Sequence, residues 1–218
     1  MKKLIPILFI SLITVLPSCD KDEINNTDTQ VGRSRVTTFP ILAIKGERYM
    51  AVAKGGTFTD PGATAKVGTT DVPFTVSGTV TTSTTGVYTV VYSAVNDDGF
   101  TASARRTVVV YETDATAAAN DLSGNYARST NASVAVWTKL APGVYTVFNP
   151  GGAPGTNLTV VAINPTGFVI DIPNQQSSDG SVTSSSGESY TPLPAPARYT
   201  MVIVNPGYGT AARTFVKQ

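Results

Sequence analysis

Apolar and β-branched residues recur along this chain in short runs, and clusters of Gly, Pro, Asn and Asp separate one run from the next. The runs ILAI (41–44), RYMAVA (48–53), DVPFTVSG (71–78), GVYTVVYSAVN (86–96) and FTASARRTVVVYE (100–112) predict strands, with turns at KGE, KGG, DPGA and NDDG. Within 86–96, Val87, Thr89, Val91, Ser93 and Val95 point one way, and Tyr88, Val90, Tyr92 and Ala94 the other. Neither face is polar, which predicts a central strand. The next run alternates more clearly, and a turn about every ten residues suits a small β-sandwich.

A second series starts at Leu122. DLSGNYARS, NASVAVWTKLAPGVYTVFN, NLTVVAINPTGFVIDIP and ARYTMVIVNPGYGTAARTFVKQ carry strands, joined at KLAPGVY, NPTGF and NPGYG. This pattern predicts a meander of hairpins, closed as a sandwich or an open barrel. Residues 172–197 are poor in apolar side chains and predict a long loop with one short strand. Between the two series lies TDATAAAND (113–121), a linker whose Ala run permits a helix too short to stand alone.

The N-terminus carries a different signal. Lys2 and Lys3 precede the apolar run Leu4–Leu16, as in a secretory leader, and the run is short for a membrane span. LPSC then resembles the bacterial lipobox, which implies that Cys19 becomes the mature N-terminus and carries the lipid that anchors the protein to a membrane. The competing reading is a free thiol in an ordinary leader. CDKDEINNTDTQ is polar and without periodicity, so it reads as a flexible acidic tether. Asp20, Asp22 and Glu23 resemble the surface-export signal of lipoproteins in the Bacteroides group, although acidic tethers also serve solubility.

Composition narrows the chemistry. With Lys2 and Lys3 removed, fourteen basic residues face fifteen acidic ones, and no basic field exists to attract nucleic acid. A single cysteine makes no internal disulfide. The absence of histidine rules out Ser-His-Asp and Cys-His devices and leaves carboxylates alone for a zinc site. Glycoside hydrolysis needs two carboxyls at a set separation. The second series offers only Asp121, Asp171, Asp179 and Glu188, at spacings that bring no pair together. Neither catalysis nor a cofactor or metal is expected. NDDG (96–99) clusters oxygen side chains but reads first as a hairpin turn, and DPGA (60–63) likewise as a β-turn.

GGTFTDPGATA (55–65) followed by residues 76–110 resembles a family of bacterial Ig-like repeats. Its members read G-x-x-F/Y-x-D-P-G-A-x-A, then Y-x-V-x-Y-x-A-x-D, then a closing A-x-R-x-V-x-V. Asn96 stands where an aspartate is usual. The resemblance implies an Ig-like sandwich serving as a spacer or adhesion module on a cell surface. DLSGNYAR with VWTKLAPGVYTV is similar to the C-terminal domain of uncharacterised Bacteroides surface lipoproteins, but NPGGAPGTN (149–157) replaces an aromatic, glycine-rich stretch expected there. Such two-part lipoproteins resemble accessory proteins of starch-utilisation-like glycan uptake systems, which implies polysaccharide and outer-membrane uptake proteins as partners and an outer-membrane location facing outward.

The expected fold class is therefore all-β, an Ig-like β-sandwich followed by a second small antiparallel β-sandwich or open barrel. The expected organisation is signal peptide 1–18, tether 19–35, Ig-like domain 36–112, linker 113–121 and C-terminal β-rich domain 122–218. Sugars stack on exposed aromatic rings. Trp137, the sole tryptophan, alternates against Val134 and Val136 and shares its side with Lys139, a placement that allows exposure. Tyr145, Tyr126, Tyr190 and Tyr208 are the further candidate ligand contacts, and the competing reading packs Trp137 and Tyr145 in the core. The expected function is a non-catalytic glycan-binding accessory protein. The alternative is a structural or adhesin module that binds another envelope protein.

Overall fold

A computed structural model describes residues 30–31, 34–35, 37–192 and 197–218. Cys19, the leader and most of the tether lie outside the described residues. Among the described residues up to Thr37, a unit of their own, β1 (Gln30–Val31) pairs antiparallel with β2 (Ser34–Arg35). Residues 38–218 form a second compact unit, and the rest of the description concerns it. Its architecture is all-β: an Ig-like sandwich followed by an antiparallel barrel.

The sandwich has two sheets. One is built from β3 (Pro40–Ile44), β5 (Ala63–Val67) and β6 (Thr70–Asp71). The other has the order β4-β9-β8-β7, from β4 (Tyr49–Ala53), β7 (Thr75–Ser77), β8 (Gly86–Val95) and β9 (Thr101–Tyr111), with β4 and β9 parallel. Ala63, Val90, Tyr92 and Val108 fill the space between the sheets, with Leu42, Ile44, Phe58 and Phe74 packed around them. The predicted run 71–78 is split, because Pro73 has no N–H to continue a ladder.

One polar cluster lies inside this core. The Arg106 guanidinium is fully buried. Its Nε donates to Asp60 Oδ1 and Tyr92 Oη, each at 3.1 Å, and Tyr92 Oη donates to Asp60 at 2.5 Å. Arg106 Nη2 donates to the carbonyls of Lys45 and Gly62, and Nη1 to that of Glu47. The aspartate of DPGA, the second tyrosine of YTVVY and the second arginine of ARR are thus one network that ties both sheets to the turn at Gly62. Burial works against the Asp60 charge. The bonds from Tyr92 and Gly62, with the Arg106 charge, outweigh it and hold Asp60 below the ordinary carboxylate value.

The second domain is an eight-stranded antiparallel sheet in the order β13-β12-β11-β10-β17-β16-β15-β14. Its strands are β10 (Gly124–Arg128), β11 (Val134–Ala141), β12 (Val144–Phe148), β13 (Thr159–Ile163), β14 (Gln175–Gln176), β15 (Val182–Thr191), β16 (Arg198–Val204) and β17 (Arg213–Lys217). The sheet curls until its two edges meet. Ile163 and Asp171 exchange backbone bonds of 2.8 and 2.9 Å, and Ser178 N donates to Thr159 O. Midway, the buried Gln175 amide takes the place of a ladder rung, accepting from Val161 N and donating to Val161 O, both at 2.7 Å. Leu158, Val160, Ala162, Ile170, Ile172, Met201, Ile203 and Phe215 line the interior.

One sequence expectation needs correction here. The apolar-poor stretch 172–197 holds the ten-residue strand β15 as well as β14, where a long loop with one short strand was predicted. Serines and threonines form that strand because its ladder with β16 needs only backbone, and hydroxyls suit its watery face. The linker is docked. Asp114 caps α1 (Ala115–Ala119) through Ala117 N, Asp114 N donates to Pro165 O, and Asn120 Nδ2 donates to Gly167 O.

A third apolar cluster joins the two domains. Val109, with Tyr49, Ala51, Val87 and Tyr111, packs against Val144 and Val161, with Leu140, Ala141 and Ile163. This seam covers Val87 of β8 and Val109 and Tyr111 of β9.

Candidate functional site

The expected stacking residues mostly lie inside the barrel. Trp137 is 2% exposed, and Tyr126 and Tyr145 are equally buried. Trp137 Nε1 donates to Tyr199 Oη at 3.1 Å, and its ring meets Tyr126, Tyr145 and Tyr199 at 5.9, 5.6 and 5.2 Å. Tyr145 Oη donates to Asn120 O and accepts from Leu122 N, so it fastens the linker to the barrel. Of the two readings left open by the sequence, Trp137 and Tyr145 follow the one that packs them in the core. The strand positions with Val134 and Val136 turn outward, half-buried, because β-branched residues fit the pleat on either face of a sheet. The large ring fills the barrel, where it buries more apolar area. Burial pushes the Tyr126 and Tyr199 hydroxyls far above the usual tyrosine range, so both stay neutral.

Tyr190 and Tyr208 are half-buried at the edge of the same core. Tyr208 also lines a surface groove of about 390 Å³, between the start of β15, the end of β16 and the loop after it. Val182 and Val204, 55% and 47% exposed, lie along that groove, with Asn174, Ser184 and Thr210 as polar neighbours. The loop is held rigidly. Asn205 Nδ2 donates to Ser181 Oγ at 2.6 Å and Thr183 Oγ1 at 2.7 Å, its Oδ1 accepts from Gly207 N, and its carbonyl accepts from Tyr208 N.

The run NPGGAPGTN, singled out in the sequence as a departure, wraps the tyrosine from the other side. A Cβ on Gly151 would stand 2.0 Å from Tyr208 Cε1, so only glycine allows this approach. Thr156 Oγ1 lies 3.3 Å from Tyr208 Oη. The Arg213 guanidinium sits over the Tyr208 ring at 5.2 Å, and Arg128 Nη1 donates to Gly152 O at 3.2 Å. A fixed ring with apolar flanks and hydroxyl or amide groups nearby is able to pack against C–H surfaces and to exchange hydrogen bonds. Sequence reasoning missed the two arginines. Alternation in RTF was the available sign, since it puts Arg213 on the side of the buried Phe215.

Carboxylates come closer together than the sequence spacing implied. Burial and then the charge of Glu188 push Asp171 above the ordinary carboxylate value, against a bond from Ser185. Asp171 also lines a crevice of about 280 Å³ at the seam, with Val87, Val109 and Ile163, but Glu188 does not. Among the described residues no group of three or more potential metal ligands occurs. Asn96–Gly99 forms the β8–β9 turn, with Phe100 N donating to Asn96 Oδ1 at 2.7 Å.

Comparison with known proteins places the first domain. Residues 42–110 match the family described as bacterial surface protein, Ig-like domain. No curated protein matches the chain. Among solved structures, a lipoprotein from Bacteroides thetaiotaomicron is similar at 23% identity and a TM-score of 0.42, over 83% of this chain and 100% of that one. The M60 catalytic domain with two CBM51 domains from Clostridium perfringens ZmpB aligns at 12% identity and a TM-score of 0.30, over 85% of this chain and 24% of that one. A GlcNAc-bound CBM51 domain with INT domains from the same protein aligns at 14% and 0.29, over 82% and 43%. At such scores the site has to be read from this chain's own residues, and the segment that a family describes is the Ig-like domain at residues 42–110.

Proposed function

We propose that this chain is a non-catalytic bacterial surface lipoprotein that holds polysaccharide for an outer-membrane glycan uptake system. Cys19 carries its anchor, and the Ig-like domain spaces the barrel from the membrane. The observation that carries the binding role is the surface groove lined by Tyr208, an expected contact residue. The match of residues 42–110 to a surface Ig-like family supports the location, and the leader with its lipobox supports the anchor. The apolar seam supports the spacer role, since it makes sandwich and barrel one body.

The test is affinity electrophoresis of the leader-free chain through gels cast with a panel of polysaccharides. One glycan is expected to retard the protein, and Tyr208→Ala to weaken that retardation at least ~10-fold, the loss of one good stacking contact, with the melting temperature nearly kept. Retardation by none of the panel would count against the reading.

A second reading, pairing with an envelope protein, is favoured by β7. It ends its sheet, is exposed along its length and carries the exposed Val76, so it offers a backbone edge for strand addition. Pull-down of one outer-membrane protein, abolished by a proline at Val76, would support it.

A further inference from the structure

Two cations near Tyr208, outside the lining of the groove, suggest which polysaccharide this end of the barrel takes. Arg213 is 8% exposed, yet among the described residues it has one hydrogen-bond acceptor, Ala211 O at 3.0 Å, and its Nε has none. Arg128 lies close enough for its charge to oppose that of Arg213, and its own recorded acceptors are the carbonyls of Gly151 and Gly152. Neither arginine pairs with a described carboxylate. Buried guanidinium groups are normally matched by an anion, because desolvation without compensation is costly. The contrast lies in the same chain, where the buried Arg106 has Asp60 and three carbonyls. At the Tyr208 end of the barrel two neighbouring guanidinium groups share no acid, in a protein whose leader-free charge is slightly negative. The imbalance is therefore local.

We infer that the Tyr208 end of the barrel selects anionic polysaccharide, with a carboxylate or sulfate on the sugar ring meeting Arg213 and Arg128 next to the groove. Guanidinium groups recognise both oxyanions through paired N–H donors. Stacked on Tyr208, Arg213 has its plane fixed before the ligand arrives, which lowers the ordering cost of binding. Thr156 Oγ1 and Tyr208 Oη supply neutral hydrogen bonds next to the charge. This inference rests on the glycan-holding reading above and names the ligand class for it.

The test compares the leader-free chain in gels containing dextran, dextran sulfate or polygalacturonate, at low and moderate salt. Dextran and its sulfate share a backbone, so their difference isolates the charge, and polygalacturonate separates carboxylate from sulfate. The expected result is retardation by at least one charged polymer, about 10-fold or more beyond dextran, and weaker as salt rises. Arg128→Gln and Arg213→Gln should each reduce it about 10-fold. Lys66→Gln, the same charge lost from the Ig-like sheet, should leave it unchanged. Melting curves show whether each variant is folded. Arg128 is only half-buried and Arg213→Lys keeps the charge, so the two provide readouts should Arg213→Gln unfold. Equal retardation by dextran and dextran sulfate would overturn the charge inference and leave the glycan reading standing. Charged-polymer binding untouched by both arginine changes would overturn it as non-specific. Binding to none of the three, or to any other glycan of the panel, would overturn both.

Discussion

Asp60 shows how a single side chain can look functional in a sequence and prove structural. Its position in DPGA is a β-turn, and Gly62 N does donate to it at 3.1 Å with Gly62 at a φ of +78°. Its larger task is to balance the buried Arg106. Removing it as Asp60→Ala should destabilise the Ig-like domain by about 3 kcal/mol, because a buried guanidinium then loses its only anion. The pH dependence has a definite sign. A carboxyl held below its unfolded value contributes stability that is complete above the ordinary carboxylate range, and it is lost as pH falls through the lowered folded value. Urea unfolding followed by circular dichroism at falling pH should show that loss in the native protein and a shallower slope in Asp60→Asn. Equal slopes would mean that Asp60 is not a main source of acid sensitivity. Trp137 teaches the complementary lesson. Alternation divides a strand into two faces, but both faces of β11 carry apolar residues, so the pattern alone does not say which one turns inward.

At the scale of elements, the barrel is closed in an uncommon manner, by a side chain. Gln175 supplies both donor and acceptor to Val161, in the geometry of a peptide group. Gln175→Leu keeps most of the volume and removes both bonds, leaving a buried N–H and C=O without partners, a loss of about 2 kcal/mol. Hydrogen exchange should then report a large rise at the Val161 amide, with the amides of β16 and β17 little changed. An unaltered Val161 amide would mean that other contacts close the barrel. β15 belongs to this scale as well. Hydrophobic periodicity overlooks a strand whose side chains are mainly hydroxyls and whose stability derives from pairing with β16, a contact far from it in character if near in sequence.

For the whole molecule the decisive feature is the seam. Two domains joined by a flexible linker would unfold independently, whereas a continuous apolar contact with a docked linker couples them. Calorimetry should therefore show one transition for the native chain. Leu140→Asp places a charge among Val109, Val144 and Val161 and should split it into two. A single transition at an unchanged temperature in that variant would mean that the seam does not couple the domains. The coupling matters for the proposed role, because a rigid spacer fixes the height and direction in which the Tyr208 groove is presented.

Local chemistry was enough to determine much of this protein. Strand-length apolar runs, glycine-rich turns and the D-P-G-A and A-x-R motifs determined an all-β chain and an Ig-like first half, since turn geometry and β-branched packing act over a few residues. Tertiary structure alone decided which aromatic rings fill the barrel, that Asp60, Tyr92 and Arg106 meet, that Gln175 bridges the sheet edges, and that Arg213 sits over Tyr208 with Arg128 near it. Each of these depends on residues distant in the chain being brought side by side by sheet curvature and register, and a one-dimensional pattern holds no record of the curvature that joins them.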